Sequence, residues 1–424
     1  MKKIYFFAAL AAVALASCSN DEVVQSAQTS PDNAIAFRTL MGNVTRAADQ
    51  TQTTLQESGK GFFVTAMYKA TSQATATQYF DNVQFTYDNT SKTYNSVKKY
   101  YWPATGTLDF FAYAPEIPTT SPQVSRTNHT TFVVTPSTTV SEQVDLIYAN
   151  TDAKEKTGAY TPTGGSASTY GAAGVPLNFR HTGSKIVVKV KNSESNNLKF
   201  EITGMKIVNV DGSATFTYND AAASAGDENT DTKDSKQLLV GDWGNNADSR
   251  IASYKVEWTT ANVINTQQTE AKFLNSQNSS ELSATTDENI NMILIPQHTE
   301  AVASTTYETA TENAVYKKSY IALKLKIYNI GGTTETPVET VIADATQDVS
   351  DVNKWAMWPV EFQWEPGKKY TYTIDLANGG YWEINDDADA DLDPILDNAL
   401  IKFVDVTVDN WADATGIDVD GPTL

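Results

Sequence analysis

Apolar and polar residues alternate with a period of two along most of the chain. Ile186, Val188 and Val190 alternate with Val187, Lys189 and Lys191. Ile321, Leu323, Leu325 and Ile327 alternate with Ala322, Lys324, Lys326 and Tyr328, and Tyr370, Tyr372, Ile374 and Leu376 with Thr371, Thr373, Asp375 and Ala377. Successive side chains of a strand point to opposite faces, so each run predicts a strand with one face toward a core and the other toward water. Further strands are predicted at Phe62–Tyr68, Leu108–Ala114, Thr131–Thr135, Asp145–Tyr148, Met292–Ile295 and Ile401–Val408. No long segment beyond the first residues carries apolar positions at helical spacing. Many short strands parted by Gly, Pro, Asn and Asp clusters predict an all-β chain of antiparallel sandwiches.

One alternating run precedes the first firm strand. Residues Ala34 to Gln50 read AIAFRTLMGNVTRAADQ. Ile35, Phe37, Thr39 and Met41 alternate with Ala36, Arg38 and Leu40, which makes a leader strand. Val44-Thr45-Arg46-Ala47-Ala48 follows in a polar setting, the kind of segment a trypsin-like protease reaches easily. Spacing alone leaves Arg46 as an ordinary surface arginine. Two stretches break the strand pattern. Thr161 to Pro176 is low in complexity and reads as a loop or hinge near a domain border; Asp220 to Lys236 has almost nothing to bury and reads as an exposed excursion. The boundary is placed near Arg180, giving an N-terminal domain over 47–180 and a C-terminal domain over 181–424.

The first 17 residues follow a different rule. Lys2-Lys3, the apolar run IYFFAALAAVALA and a small-residue exit make an export signal. The run is shorter than the ~20 apolar residues that cross a bilayer. Cys18, the single cysteine of 424 residues, comes directly after it. Leu-Ala-Ser before a cysteine is the pattern of a bacterial lipoprotein, in which the Cys18 sulfur carries a diacylglyceryl group; the plain alternative is an ordinary signal peptide beside a chance cysteine. Ser19-Asn20-Asp21-Glu22 resembles a short acidic signal for the outer face of Gram-negative cells. Residues 18–46 then form a propeptide that contains the leader strand. With no second cysteine there is no disulfide framework, and stability rests on buried core.

Length and charge narrow the function. A chain of 424 residues exceeds one ordinary core, and 16 Phe with 20 Tyr are ample for packing two. The formal charge is −20, and removing Lys2 and Lys3 takes it to −22. Such a surface repels phosphate backbones, so nucleic acid is not an expected partner.

The residues of catalysis and metal binding are not assembled. His129, His181 and His298 stand singly without metal-ligand spacing, and His181 reads as a packing or hydrogen-bonding residue. Gly183-Ser184-Lys185 lacks the leading glycines of a phosphate loop, and no Gly-x-Ser-x-Gly elbow is present. Asp387, Asp389 and Asp391 sit as in the front half of a calcium loop. However, Leu392 replaces the glycine and Asn398 the bidentate glutamate, so residues 385–393 read as a solvated acidic loop. Trp102, Trp355, Trp358, Trp364, Trp382 and Trp411 could stack on sugars, but their places at strand ends beside Pro or Gly favour packing. The reading is a non-enzyme with no cofactor and no metal.

Several stretches together resemble the fimbrillins, the subunits of type V pili in Gram-negative anaerobes. They are the lipoprotein start, the AIAF strand, Thr45-Arg46-Ala47, YWPATGTLDFFAYAP (101–115), LNFRHTGSKIVVKV (177–190), WEPGKKYTYTIDL (364–376) and IKFVDVTVDNW (401–411). The resemblance implies two transthyretin-like (Ig-like) antiparallel β-sandwich domains and arginine-specific maturation at Arg46-Ala47. Removing a strand from a sandwich would leave a groove with unpaired backbone groups for another subunit's strand to fill. Ile417 and Val419, alternating with Asp418 and Asp420, and then Leu424, make the tail a donor candidate; a disordered acidic tail is the alternative. Residues 401–411 could donate with it or close the second sandwich. The expected partners are other fimbrial subunits, in a homopolymer; the membrane, through the lipid of the precursor; and a host protein or glycan. The precursor is expected at the cell outer membrane and the mature form in an extracellular fimbrium. The second reading is a permanently lipidated surface protein, either a pilus anchor or tip or a glycan binder.

Overall fold

A computed structural model describes residues 34–40, 50–103, 105–118, 120–150, 174–218, 242–244, 252–275, 290–299, 319–333, 336–344, 355–382 and 405–410. The first half contributes β1 (Phe37–Leu40), α1 (Gln52–Gln56), β2 (Phe62–Lys69), β3 (Thr77–Asp88), β4 (Thr93–Asn95), β5 (Thr107–Ala114), β6 (Val124–Arg126), β7 (Thr131–Val134), β8 (Ile147–Asn150), β9 (Val175–Asn178) and β10 (Arg180–His181). The second contributes β11 (Ser184–Asn192), β12 (Leu198–Val210), β13 (Ala214–Thr217), β14 (Asp242–Gly244), β15 (Ala252–Ile264), β16 (Gln268–Phe273), β17 (Asn291–Leu294), β18 (Tyr320–Thr333), β19 (Thr336–Asp344), β20 (Ala356–Pro359), β21 (Lys368–Asp375), β22 (Tyr381–Trp382) and β23 (Asp405–Asn410). The protein is nearly all strand, as its alternation predicts, and its sheets are mainly antiparallel. Among the described strands, β1 with β9 and β11 with β21 pair in parallel.

The first core lies inside an eight-stranded sheet in the order β10-β8-β5-β2-β3-β4-β1-β9. β3 turns the sheet: its earlier residues pair with β2, and Thr86 to Asp88 pair with β4. At the irregularity Asn82 takes a positive φ of 51°, held by its backbone N–H on Thr65 Oγ1 at 3.3 Å and by the Tyr113 hydroxyl donating to its side-chain oxygen at 2.6 Å. The path begins at β10 and ends at β9, which are consecutive in sequence with only Phe179 between them. One short segment therefore closes the sheet on itself. Closure leaves fewer unpaired edges and surrounds the aromatic interior of Phe37, Phe62, Phe85 and Phe110.

The second core lies between two sheets. In one, β11 pairs with β16 and β17 along one side and with β21 on the other, and β23 forms the outer edge. The other runs β15-β12-β18-β20-β22, with β19 on the far part of β18. Ile186, Ile202, Leu323, Trp364 and Tyr372 meet in its interior. Here β11 departs from the expected alternation, because Lys185, Ile186, Val187 and Val188 are all buried. Its neighbour β17 is covered by the first half: Ile293 and Ile295 share a cleft with Val144, Leu146 and Trp243, and Ile293 N–H donates to Gln143 Oε1 at 2.7 Å.

A four-stranded sheet in the order β14-β13-β7-β6 joins the halves. Residues 214–217 pair with 131–134, and Phe132 and Phe216 pack with Phe111, Tyr113 and Tyr148 from the outer face of the first sheet. Residues of the first core run from Ile35 to Phe179 and those of the second from Ile186 to Leu376, while β13 and β14 pack against the first half.

Candidate functional site

The leader strand is the feature that the rest of the first half is built around. β1 inserts between β4, antiparallel with Phe37 opposite Tyr94, and β9, parallel with Phe37 opposite Val175 and Thr39 opposite Leu177. Before it, Ile35 N–H donates to the Tyr100 carbonyl at 2.8 Å and Ala34 bridges Tyr101. Val175 N–H donates to the Ala36 carbonyl at 2.7 Å. Ile35 is 1% exposed, Phe37 0% and Thr39 7%; on the other phase Ala36 is also buried and Arg38 is half-buried, so the strand is covered on both faces at its start.

Phe37 sits in an aromatic cage. Its ring lies edge-on to Phe85 at 4.7 Å, Phe110 at 5.0 Å and Phe62 at 6.0 Å between centroids. Such edge-to-face contacts align ring edges with the negative faces of their neighbours and add to burial. Thr39 hydroxyl approaches the Tyr94 hydroxyl at 3.4 Å. Burial pushes the Tyr94 phenol up to about 12, against the opposing effect of that hydroxyl. On the β9 side the backbones come close. Gly174 has φ of 76°, and a Cβ there would lie 2.6 Å from the Phe37 carbonyl carbon, so glycine is required for both conformation and space.

The chain is fixed again immediately downstream. Gln50 N–H donates to Asp145 Oδ2 at 2.7 Å, and the buried Asp145 carboxylate also holds His181 Nδ1 at 2.9 Å. Thr51 and Thr54 form a reciprocal capping box at the start of α1, whose Leu55 is buried. His181 is therefore the hydrogen-bonding residue expected. Residues 41–49 connect two well-held segments, one on each side of Arg46.

Of the sequence-derived site residues, the structure brings Ile35, Phe37 and Thr39 together on one wall of the first core. Cys18, Met41, Arg46, Ala47, Ile417, Val419 and Leu424 lie outside the described residues, as do the acidic run 385–393 and the excursion 220–236. Of residues 401–411, Asp405 to Asn410 form β23 on β21. The reading of Thr161 to Pro176 as a loop needs one correction: Val175 and Pro176 already belong to β9, beside the leader. Proline is accepted there because β9 ends the sheet path. Trp102, Trp355, Trp358 and Trp364 are buried in the cores and offer no ring to a sugar. The cage residues Phe62, Phe85 and Phe110, and Gly174, were not legible as part of this site. Their partner in space is 25 residues or more away in sequence, and only the register of β1 brings them to it.

The fold matches a crystal structure of a fimbrial protein from Bacteroides vulgatus, with a TM-score of 0.54 at 15% identity over 90% of this chain and 100% of that one. Candidate cell adhesion proteins from Bacteroides ovatus (TM-score 0.38, 11% identity, 89% and 97% covered) and Parabacteroides distasonis (TM-score 0.40, 12% identity, 89% and 98% covered) are also similar. The chain belongs to the fimbrillin-like family, whose family model matches residues 45–411. Residues 1–19, which include Cys18, match a prokaryotic membrane lipoprotein lipid attachment site. No curated protein matches the chain.

Proposed function

We propose that this protein is a non-enzymatic structural subunit of a fimbrium, exported as a lipoprotein precursor on Cys18, cut after Arg46 and polymerised by donor-strand exchange, in support of cell adhesion. The observation that carries the reading is the seat of β1: a strand that buries Phe37 and Thr39, with Ile35 just before it, flanked on both sides by ladder partners, whose only covalent link to the rest of the subunit runs through residues 41–49. A cut at Arg46-Ala47 would leave the chain from Gln50 onward docked through Asp145 and α1. The leader would then be held by noncovalent contacts alone.

Burial of Ile35 and Phe37 contributes roughly 1.5–3 kcal/mol apiece. Once the leader departs, that surface and the unpaired groups of Tyr100, Val175 and β4 return to water. An incoming strand that repeats the alternation regains both. Because donor and acceptor surfaces differ, the contact is head-to-tail and grows a filament instead of closing a dimer. The donor is the tail of a neighbour, with Ile417, Val419 and Leu424 as pocket-filling residues, and the copies are identical. The two main cores are taken as two sandwich domains, 47–180 and 181–424. The precursor resides on the outer membrane and the mature form in the extracellular fimbrium, where it meets a host protein or glycan.

The test is digestion of the full precursor with an arginine-specific protease, followed by N-terminal sequencing and electrophoresis without boiling. The expected product begins at Ala47 and runs as a ladder, and Arg46→Ala yields neither. A ladder from Arg46→Ala would overturn the mechanism. The filled leader seat also suits a subunit that is never cut, a lipid-anchored anchor or tip. Protein sheared from cells that retains acyl-Cys18 would establish that second reading instead.

A further inference from the structure

The wall beside the leader carries a feature that the leader does not use. β4 pairs with the leader at Tyr94, and the chain returns to it at Tyr100 and Tyr101; between these points Ser96 to Lys99 leave the wall. The excursion is fixed, since the buried Ser96 hydroxyl donates to the Lys98 carbonyl at 2.7 Å and Lys98 Nζ lies 5.2 Å over the Tyr100 ring. Lys98 and Lys99 are exposed, and Val97 beside them is 100% exposed. Elsewhere Lys199, Lys272 and Lys324 each have a carboxylate within 3.0 Å. Among the described residues Lys98 and Lys99 have none within salt-bridge range. In a chain of formal charge −20, two adjacent lysines with no ion-pair partner among the described residues form a local cationic point at the rim of the leader's seat.

We propose that Lys98 and Lys99 are an electrostatic landing site for the acidic C-terminal segment of a second copy, which they steer into the seat once the leader has left. The proposal rests on the strand-exchange reading and adds what guides the donor to the groove. Residues 404–424 contain Asp405, Asp409, Asp413, Asp418 and Asp420 and no lysine or arginine. If Ile417 and Val419 occupy the places of Ile35 and Phe37, Asp418 takes the place of Ala36 in either strand direction. If the donor runs as the leader does, Asp420 takes the place of Arg38. At these two positions the leader carries Ala36 and the cationic Arg38, whereas the donor carries carboxylates, so only the donor gains from the lysines. Charges at the rim of an interface act chiefly on the rate of encounter and on its salt dependence.

The experiment is a time course of ladder formation by the full chain after arginine-specific cleavage, in about 0.01 M and about 1 M salt, where charges are screened over ~30 Å and ~3 Å. The wild-type rate is expected to fall about tenfold at high salt. Lys98→Glu with Lys99→Glu should assemble at least tenfold more slowly at low salt, speed up as salt is added and still reach ladders of the same final length. Adding Asp418→Lys and Asp420→Lys to that variant should restore the rate, and Lys98→Gln with Lys99→Gln should fall between. A charge-reversed chain that keeps pace with wild type overturns the landing site and leaves strand exchange standing. A cleaved wild-type chain that forms no ladder overturns both.

Discussion

At the scale of single residues, Phe37 carries the strongest consequence, because it belongs to the precursor and not to the proposed mature chain. It is fully buried against Phe62, Phe85 and Phe110. Phe37→Ala is expected to destabilise the precursor by roughly 3–5 kcal/mol in urea titration and to leave a chain beginning at Ala47 unchanged. Equal losses in both would mean that the leader is not a separable element. Gly174 acts on the same contact from the other side. Gly174→Ala places a methyl group 2.6 Å from the Phe37 carbonyl carbon at a φ of 76°, so it should loosen the leader and also obstruct a donor. Slowed ladder formation together with a less stable precursor is the expected pair of results. Tyr94 gives the seat a pH dependence. Its folded pKa is raised to about 12 from 10.0, so the phenol holds its proton more tightly when folded. Its contribution is complete below about pH 10 and is lost as pH climbs toward 12. Tyr254 and Tyr372 are shifted in the same direction by burial, so alkaline unfolding should begin above about pH 10 and not near neutrality.

At the scale of elements, β1 is the member whose removal opens the first sheet, since β4 and β9 meet each other only through it. Hydrogen exchange should report this directly. After cleavage at Arg46, amides that the leader caps, Val175 above all, are expected to lose protection and to regain it when the polymer forms. Protection that stays constant through cleavage would mean that the leader never leaves. Strands with an unbroken period were legible in the sequence: Phe62–Tyr68, Leu108–Ala114 and Tyr370–Leu376 lie within or across β2, β5 and β21. The 13-residue strand β12 was not, because its phase slips. Leu198, Phe200 and Ile202 are buried on one phase and Met205 and Ile207 on the other, with the register shift between Ile202 and Gly204. A Cβ on Gly204 would meet Trp355 at 2.9 Å, so a long-range contact fixes where the shift falls. Short edge elements such as β9 escape for another reason: four residues including a proline carry too little periodicity to outweigh their surroundings. The leader was readable because its alternation is clean, whereas its cage required the fold.

At the scale of the whole molecule, a subunit of the proposed filament would transmit tension from the leader's seat in one core to the C-terminal tail that follows the other. The second core ends at β23, an edge strand whose Val406 and Val408 lie opposite the buried Tyr372 and Tyr370 yet remain 49% and 51% exposed. The junction sheet is built from both halves: β13 pairs with β7, Phe216 packs on Phe132 and Tyr148, and Trp243 Nε1 donates to the Thr182 carbonyl at 2.9 Å. A load path through paired strands and interlocked aromatic rings resists separation better than a flexible linker, so the two cores should unfold together. Phe216→Ala, which empties the middle of the junction, is expected to lower stability by roughly 3–5 kcal/mol and to split one transition into two. Residues 181–424 produced alone should bind a hydrophobic dye through Phe216 and Tyr218, which lose their partners from the first half. Two separate transitions already present in the wild-type chain, with only one of them moved by Phe216→Ala, would mean that the cores are mechanically independent and that tension crosses a joint.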